Sequence, residues 1–138
     1  MGDLSKNLSR EEFKCPCGCE HTPVDIELVQ SLQDAVDHYT HMERGKSLMF
    51  QRISCVITSG YRCPEHNKSV KGASDTSLHQ WGMAADHRLI AVYGDGTRTL
   101  IDPVRLAEYY RHRYPDSHGV GTYSNRVHVD VRAKPARW

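Results

Sequence analysis

The sequence predicts an α+β domain in which two main helices pack on a small, largely antiparallel sheet. Apolar residues at positions 26, 29, 32, 36 and 39 recur at spacings of three or four, which is typical of a helix with one buried stripe. The run RVHVDVR at 126–132 alternates valine with polar residues, which is typical of a strand with one buried face. Helix and strand patterns therefore follow each other along one short chain.

Capping residues set the expected ends of the two helices. Thr22 is the expected N-cap of the first helix, with Pro23 at its first position and Gly45 as its stop signal. Asp102 and Pro103 open the second helix by the same logic. The Gly-Asp-Gly sequence at 94–96 has the residues of a tight hairpin turn. The predicted strands are 53–59, 83–90, 97–101, 119–123 and 127–131.

Length and composition indicate one globular domain. The chain has 138 residues, of which 38% are hydrophobic and 25% are charged. Residues 1–12 are polar and without periodicity, so we expect a flexible N-terminal arm followed by a single domain over 13–138. No apolar run approaches the roughly 20 residues that span a bilayer, and no signal-peptide core is visible near the N-terminus. We expect synthesis in the cytoplasm and no membrane insertion.

The charge balance excludes one class of partner. Eighteen lysines and arginines face seventeen aspartates and glutamates, for a net charge of +1. Non-specific binding to nucleic acid uses a strong basic field, which this chain lacks. We therefore expect no nucleic-acid partner, and we expect a monomer.

Five cysteines, at 15, 17, 19, 55 and 63, make a complete disulfide framework unexpected. Cys55 lies in an apolar run and is expected to pack as a small buried hydrophobic residue. Three interpretations remain open for the CPCGC cluster and Cys63: a structural zinc site, a disulfide between Cys63 and one of the three, or reduced structural thiols.

Histidines and aspartates suggest a metal site. His79 and Asp86 lie in SLHQWGMAADH, and a strand over 83–90 would put Asp86 and His87 on opposite faces. His128 and Asp130 share the polar face of the alternating run. Imidazole and carboxylate groups suit a catalytic zinc ion with three protein ligands. A lone strand histidine is, however, more often hydrogen-bonded or solvated than metal-bound.

Three motifs together resemble a known family. These are SGYRCPEHN at 59–67, S-x-H-x-x-G-x-A-x-D at 77–86, and GVGTY followed by HVDVR at 119–132. The combination is similar to the zinc D-Ala-D-Ala carboxypeptidase-like peptidases of family M15, in particular their small phage and bacterial cell-wall branch. EFKCPCGC also resembles the N-terminal boundary of that branch. The resemblance covers about residues 11–138.

The resemblance implies one catalytic zinc ion held by His79, Asp86 and His128. It also implies that Arg62 faces the scissile carbonyl or the terminal carboxylate of the substrate, a role that suits a fixed charge with a donor fork. The alternative for Arg62 is a surface pair with Asp75 or Asp130.

Residues around the motifs are expected to support this site. Ser77 would orient a ligand or a loop by hydrogen bonding, and His66 could line the substrate cleft. Trp81 is expected to pack the loop, and Gly82 to permit its turn. His87 is expected on the outer surface.

The general base departs from the family pattern. Several branches carry a glutamate or aspartate three positions before the last histidine ligand, where this chain has Asn125. Asp130 is the first alternative base, because it points to the same side of the strand as His128. An equal alternative is that Asp130 only holds Arg132 or Arg62. His118 and Asp116 are the next candidates.

The function implied is zinc-dependent hydrolysis of peptide bonds in bacterial peptidoglycan stems. The enzyme would be a D-Ala-D-Ala carboxypeptidase or a cross-link or stem endopeptidase, of the phage lysis (endolysin) or virion-associated type. It would reach the cell wall or periplasm by phage-type release or on a virion. The alternatives are an inactive, zinc-stabilised cell-wall-binding or phage structural module, and a metal-free interaction domain.

Overall fold

Three helices and a six-stranded sheet form the domain in the computed structural model, which describes residues 2–138. The predicted α+β class is confirmed. The helices are α1 (Ile26–Lys46), α2 (Pro64–Ser69) and α3 (Pro103–Arg113), and short 3₁₀ turns span Arg10–Phe13 and Leu78–Trp81. The strands are β1 (Phe50–Ser59), β2 (Ala84–Tyr93), β3 (Arg98–Leu100), β4 (Gly119–Thr122), β5 (Val127–Asp130) and β6 (Ala136–Arg137). No helix in the described range is long and apolar enough to cross a membrane.

The sheet has the order β1-β2-β5-β4-β6, and β3 pairs with β2 beside this path. All pairs are antiparallel except β4 with β6, as the prediction of a largely antiparallel sheet requires. The sequence did not predict β6, because two residues carry no periodicity.

Helices α1 and α3 cover one face of the sheet and leave the other face to the polar residues. Ala85 and Leu89 of β2, together with Val129 of β5, join the buried core that both helices share. Strand side chains alternate between faces, so Asp86 and His128 lie on the face opposite the helices. The layering thus separates the packed core from the polar face.

Helix α1 begins three residues later than predicted. Asp25 is the N-cap, and its carboxylate accepts a hydrogen bond of 2.8 Å from the Glu27 amide. The Asp25 amide donates to the Gly82 carbonyl at 2.8 Å, which ties the segment before the helix to the turn after Trp81. Helix α3 follows the prediction, since Asp102 caps it by accepting from the Val104 amide at 2.9 Å.

His87 is buried, and the prediction of a surface position was wrong. Its face of β2 is covered by α3, where its Nε2 lies 2.7 Å from the Tyr110 hydroxyl. Its Nδ1 lies 3.3 Å from the Ala85 carbonyl. Burial lowers the pKa of His87 to about 4, so the ring is a neutral core residue. The predicted opposition of Asp86 and His87 across the strand is confirmed.

The N-terminal segment packs on the domain, in contrast to the flexible arm that its composition predicted. Leu8 is fully buried and joins the core with Phe13. The Ser5 hydroxyl donates to the Gln33 side chain of α1 at 2.6 Å. A single buried leucine among polar residues gives no periodic signal, which is why the contact was not foreseen.

Replacing Leu8 by alanine should lower the free energy of unfolding by about 2 to 5 kcal/mol, because it leaves a cavity in the core. Leu48→Ala is the matched control. The Leu48 side chain is fully exposed, so its removal should change the free energy of unfolding by less than about 0.5 kcal/mol. Urea unfolding of both variants measures the difference. Equal stability of the two variants would mean that residues 2–12 do not belong to the folded domain.

Candidate metal centre

The pairing of β2 with β5 brings Asp86 and His128 together. The two residues stand directly opposite each other in the antiparallel register, on the face away from the helices. His128 Nδ1 lies 2.9 Å from Asp86 Oδ1. Two residues separated by 42 positions in sequence thus form one side of a polar cluster.

His79 reaches the same cluster from the 3₁₀ turn at Leu78–Trp81. Ser77 caps this turn by accepting a hydrogen bond of 3.3 Å from the His79 amide, as predicted for an orienting serine. Gly82 ends the turn in the left-handed region with φ 70°, which confirms its predicted role. His79 Nε2 then lies 3.6 Å from Asp86 Oδ1.

Trp81 does not pack the loop, and that prediction was wrong. Its side chain is 70% exposed. Gly82 makes the tight contact instead, because a Cβ at this position would overlap the Pro23 carbonyl. The turn is therefore held by glycine against the segment before α1.

Each histidine uses its other ring nitrogen to hold its orientation. His79 Nδ1 lies 2.7 Å from the Gly60 carbonyl, which can only accept, so this nitrogen carries the proton. His128 Nε2 lies 2.8 Å from Asp130 Oδ2 and donates to it in the same way. These contacts direct His79 Nε2 and His128 Nδ1 toward Asp86, as in metal-binding histidines whose other ring nitrogen donates to a carbonyl or a carboxylate.

The three side chains fit a zinc ion. One donor atom of each lies within 4.8 Å of the others, and His79 and His128 are buried. Donors about 2.0 to 2.1 Å from a tetrahedral ion stand about 3.3 Å apart, close to the 2.9 and 3.6 Å found here. Among residues 2–138 no fourth metal-binding side chain joins this group. Three protein ligands with an open fourth position are typical of a catalytic site.

The electrostatics of the cluster favour a cation. Burial alone would raise the pKa of Asp86, but the hydrogen bond from His128 and the proximity of His79 hold that pKa well below its usual range. Burial alone would lower the pKa of His128, but Asp130 and Asp86 together raise it. Without a metal, the two carboxylates on either side of His128 therefore favour its protonated form. A metal ion would take the place of the Nδ1 proton.

Asp130 holds His128 and Arg132. Its Oδ1 accepts from the Gly119 amide at 3.0 Å and from Arg132 Nε at 2.7 Å. Its Oδ2 accepts from His128 Nε2 at 2.8 Å and from Arg132 Nη2 at 2.7 Å. Burial would raise the pKa of Asp130, but His128 and Arg132 hold it well below its usual range. The pairing with Arg132, one of the two alternatives for this residue, is what the structure has.

Gly119 makes the position of Asp130 possible. The two residues stand opposite each other in the pairing of β4 with β5, and a Cβ at Gly119 would overlap the carboxylate. Gly121 has the same relation to the Trp138 indole. The GVG sequence thus gives the site face of β4 room for its neighbours.

His118 is a packed residue that does not line the cavity over the three predicted ligands. Its ring stacks on Tyr114 at 3.8 Å between centroids, and Nε2 lies 3.0 Å from the Ser31 hydroxyl of α1. Asp116 and Asn125 are both exposed, and neither lines the cavity over the cluster. Of the residues considered as the general base, only Asp130 lines that cavity.

Arg62 lies beside the cluster, and its ion-pair partner is Asp86, not the Asp75 or Asp130 of the alternative interpretation. Its Nη2 is 3.5 Å from Asp86 Oδ2, and the arginine is 8% exposed. Nε donates to the Ser59 hydroxyl at 3.1 Å, and Nη1 donates to the Asn67 side chain at 3.2 Å. These bonds fix the guanidinium at the wall of the cavity.

A cavity of about 610 Å³ opens over the three predicted ligands. Arg62 and Ser77 line it as predicted, whereas His66 does not. Sequence reasoning missed two aromatic lining residues, Tyr123 and Trp138. The Trp138 indole donates to the Tyr123 hydroxyl at 3.0 Å, which leaves the phenol proton available to the cavity. Tyr123 follows GVGT directly and was visible in the motif, but Trp138 carried no signal.

Asp130→Asn should weaken zinc binding at this site by roughly 10- to 100-fold. The carboxylate accepts donors at both oxygens, and an amide would place an NH₂ against either the His128 ring or the Gly119 amide. Zinc content after equilibration with graded chelator measures the change. His128→Ala, which lacks one donor, identifies the zinc equivalent that belongs to this site.

Asn125→Ala is the control for that measurement, because Asn125 is exposed and away from the cavity. It should retain zinc like the unmodified protein. Equal retention by Asp130→Asn would show that His128 does not depend on Asp130 for its orientation.

The family comparison agrees with this geometry. The model of the family described as Peptidase M15 matches residues 6–130, which is most of the chain and includes His79, Asp86 and His128. Neither the curated proteins nor the solved structures gave a significant match. On the strength of the family match, the chain belongs to the M15 peptidases.

Proposed function

We propose that this protein is a zinc peptidase that hydrolyses peptide bonds in the stem peptides of bacterial peptidoglycan. The single observation that carries the proposal is the convergence of His79 Nε2, Asp86 and His128 Nδ1 at the floor of a cavity. Zinc bound there would activate a water molecule and polarise the scissile carbonyl. The family match supports the peptidase chemistry, and the cell-wall substrate is an expectation from the motifs.

The residues around the proposed zinc site have separate roles. Asp130 and the Gly60 carbonyl hold the two imidazoles in the orientation that binding requires. Arg62 presents a fixed charge from the cavity wall, where it can bind a developing oxyanion or a terminal carboxylate. Tyr123 offers a hydroxyl donor on the same cavity.

Hydrolysis also requires a group that accepts a proton from the attacking water molecule. The two carboxylates that line the cavity are Asp86 and Asp130, and both already interact with neighbouring histidine and arginine side chains. Asp130 is the acceptor that a peptidase would have to use. Accepting a proton requires Arg132 to release Asp130, and the Arg132 side chain is 37% exposed and so has room to move.

The engaged carboxylates also favour a second candidate, a zinc-stabilised wall-binding or phage structural module without turnover. Asn125 supports it, because this position holds a carboxylate in several branches of the family. The module would bind peptidoglycan through the same cavity and leave its bonds intact. Either protein would act at the cell wall, after phage-type release or on a virion.

Purified peptidoglycan incubated with the zinc-loaded protein should acquire new peptide termini, which mass spectrometry of muramidase-released fragments would detect and assign to a bond. The His128→Ala variant is the control and should leave the fragments unchanged. An unchanged digest from protein that holds its zinc would overturn the peptidase proposal. Sedimentation with intact sacculi would then test the binding module.

Arg62→Lys should lower kcat/KM by roughly 10²- to 10³-fold, because lysine retains a charge but not the donor fork that bonds Ser59 and faces the cavity. Zinc content should stay unchanged, since Arg62 is not a ligand. Arg98→Lys in β3, which is exposed, is the matched control. An unaltered kcat/KM in Arg62→Lys would remove Arg62 from the proposed mechanism.

A further inference from the structure

Four of the five cysteines form a second cluster, separate from the candidate metal centre. Cys15, Cys17 and Cys19 come from the segment between the first 3₁₀ turn and α1, and Cys63 lies immediately before α2. Their four sulfur atoms all lie within 4.8 Å of one another. Cys55 stays apart in β1, where it is buried as predicted.

The sulfur separations in this cluster match metal coordination better than a disulfide. Cys15 Sγ lies 3.3 Å from Cys17 Sγ and 3.8 Å from Cys63 Sγ, and the Cys17 and Cys63 sulfurs are 3.4 Å apart. A disulfide needs about 2.05 Å. Four thiolates about 2.3 Å from a tetrahedral zinc ion stand about 3.8 Å apart.

The backbone around the cluster is built to hold thiolates. Gly18 adopts φ 83°, and its amide donates to the Cys15 carbonyl at 3.1 Å, which closes a turn between the cysteines. The Cys63 amide points at Cys15 Sγ at 3.4 Å, and the His66 amide points at Cys63 Sγ at 3.5 Å. Amide donors of this kind stabilise negative sulfur and orient metal ligands. This turn replaces the usual C-x-x-C spacing that the sequence lacks.

We propose that Cys15, Cys17, Cys19 and Cys63 bind a second, structural zinc ion. All four positions of a tetrahedral ion would be filled by protein sulfur, which leaves no open position for a substrate. The ion would link residues 15–19 to the turn after β1, across the 43 residues that lie between Cys19 and Cys63. Binding energy of such a site is folding energy, because the four thiols converge only in the folded state.

The cysteine cluster lies next to residues that form the candidate metal centre. The Tyr61 amide donates to the Phe13 carbonyl at 2.8 Å, and the Arg62 amide donates to the His79 carbonyl at 3.0 Å. Gly60, whose carbonyl holds the His79 ring, lies three residues before Cys63. A metal at the cysteines therefore fixes the turn that supports both His79 and Arg62.

Metal analysis of untagged protein tests this proposal without any assay of activity. The unmodified chain should hold two equivalents of zinc, and the double variant His79→Ala/His128→Ala should hold one. Replacing zinc by cobalt in that double variant should give sulfur-to-cobalt charge-transfer absorption. Adding Cys17→Ser to the double variant should weaken cobalt binding and this absorption, whereas adding Cys55→Ala, the matched control, should leave the absorption and the single equivalent unchanged.

A double variant that folds but holds no metal, or whose cobalt form lacks the thiolate absorption, would overturn the proposal. So would fewer than five thiols on titration of unfolded protein that was never reduced, since this would mean a disulfide. Should Cys17→Ser fail to fold, the double variant still decides the question. A failed peptidoglycan digest leaves the zinc count unaffected, so the two proposals can fail separately.

Discussion

The pairing of Asp86 with His128 across β2 and β5 is the contact on which the candidate metal centre depends. Antiparallel register places these two side chains opposite each other on the face that the helices do not cover. A slip of one residue would send His128 into the core and Val127 or Val129 into the site. The valines of β5 therefore fix the metal ligand as much as they fill the core.

The sequence predicted the parts of the site that are local. Ser77, His79 and Gly82 lie within one turn. The resemblance to the M15 peptidases implied the roles of Ser77 and His79, and the turn itself indicated the role of Gly82. The sequence also predicted that His128 and Asp130 share a face, because strand alternation is a local property. It gave Arg132 as an alternative partner of Asp130, but it could not predict that the same carboxylate also accepts from the Gly119 amide and the His128 ring. Those contacts depend on strand order and on side-chain rotamers.

The errors in the prediction have a common cause. The N-terminal arm was assigned from its polarity, and Trp81 and His87 from their places in the motif, but burial is decided by what covers a residue. Helix α3 covers His87, and the polar N-terminal segment carries Leu8 into the core, whereas nothing in the described chain covers Trp81. The fold class survived these errors because it depended on two long periodic helices and several strands, each supported by more than one residue.

The double engagement of Asp130 changes how its mutation must be interpreted. If Asp130 were only a general base, its removal would abolish turnover and leave zinc in place. Its Oδ2 also accepts a hydrogen bond from His128 Nε2, so removal of Asp130 should weaken zinc binding as well. Lost activity alone would therefore not identify a general base. Arg132 separates the two roles, since it binds Asp130 from the exposed side without touching the histidine's metal-facing nitrogen. The proton-accepting role therefore depends on how firmly Arg132 is held, and the orienting role does not.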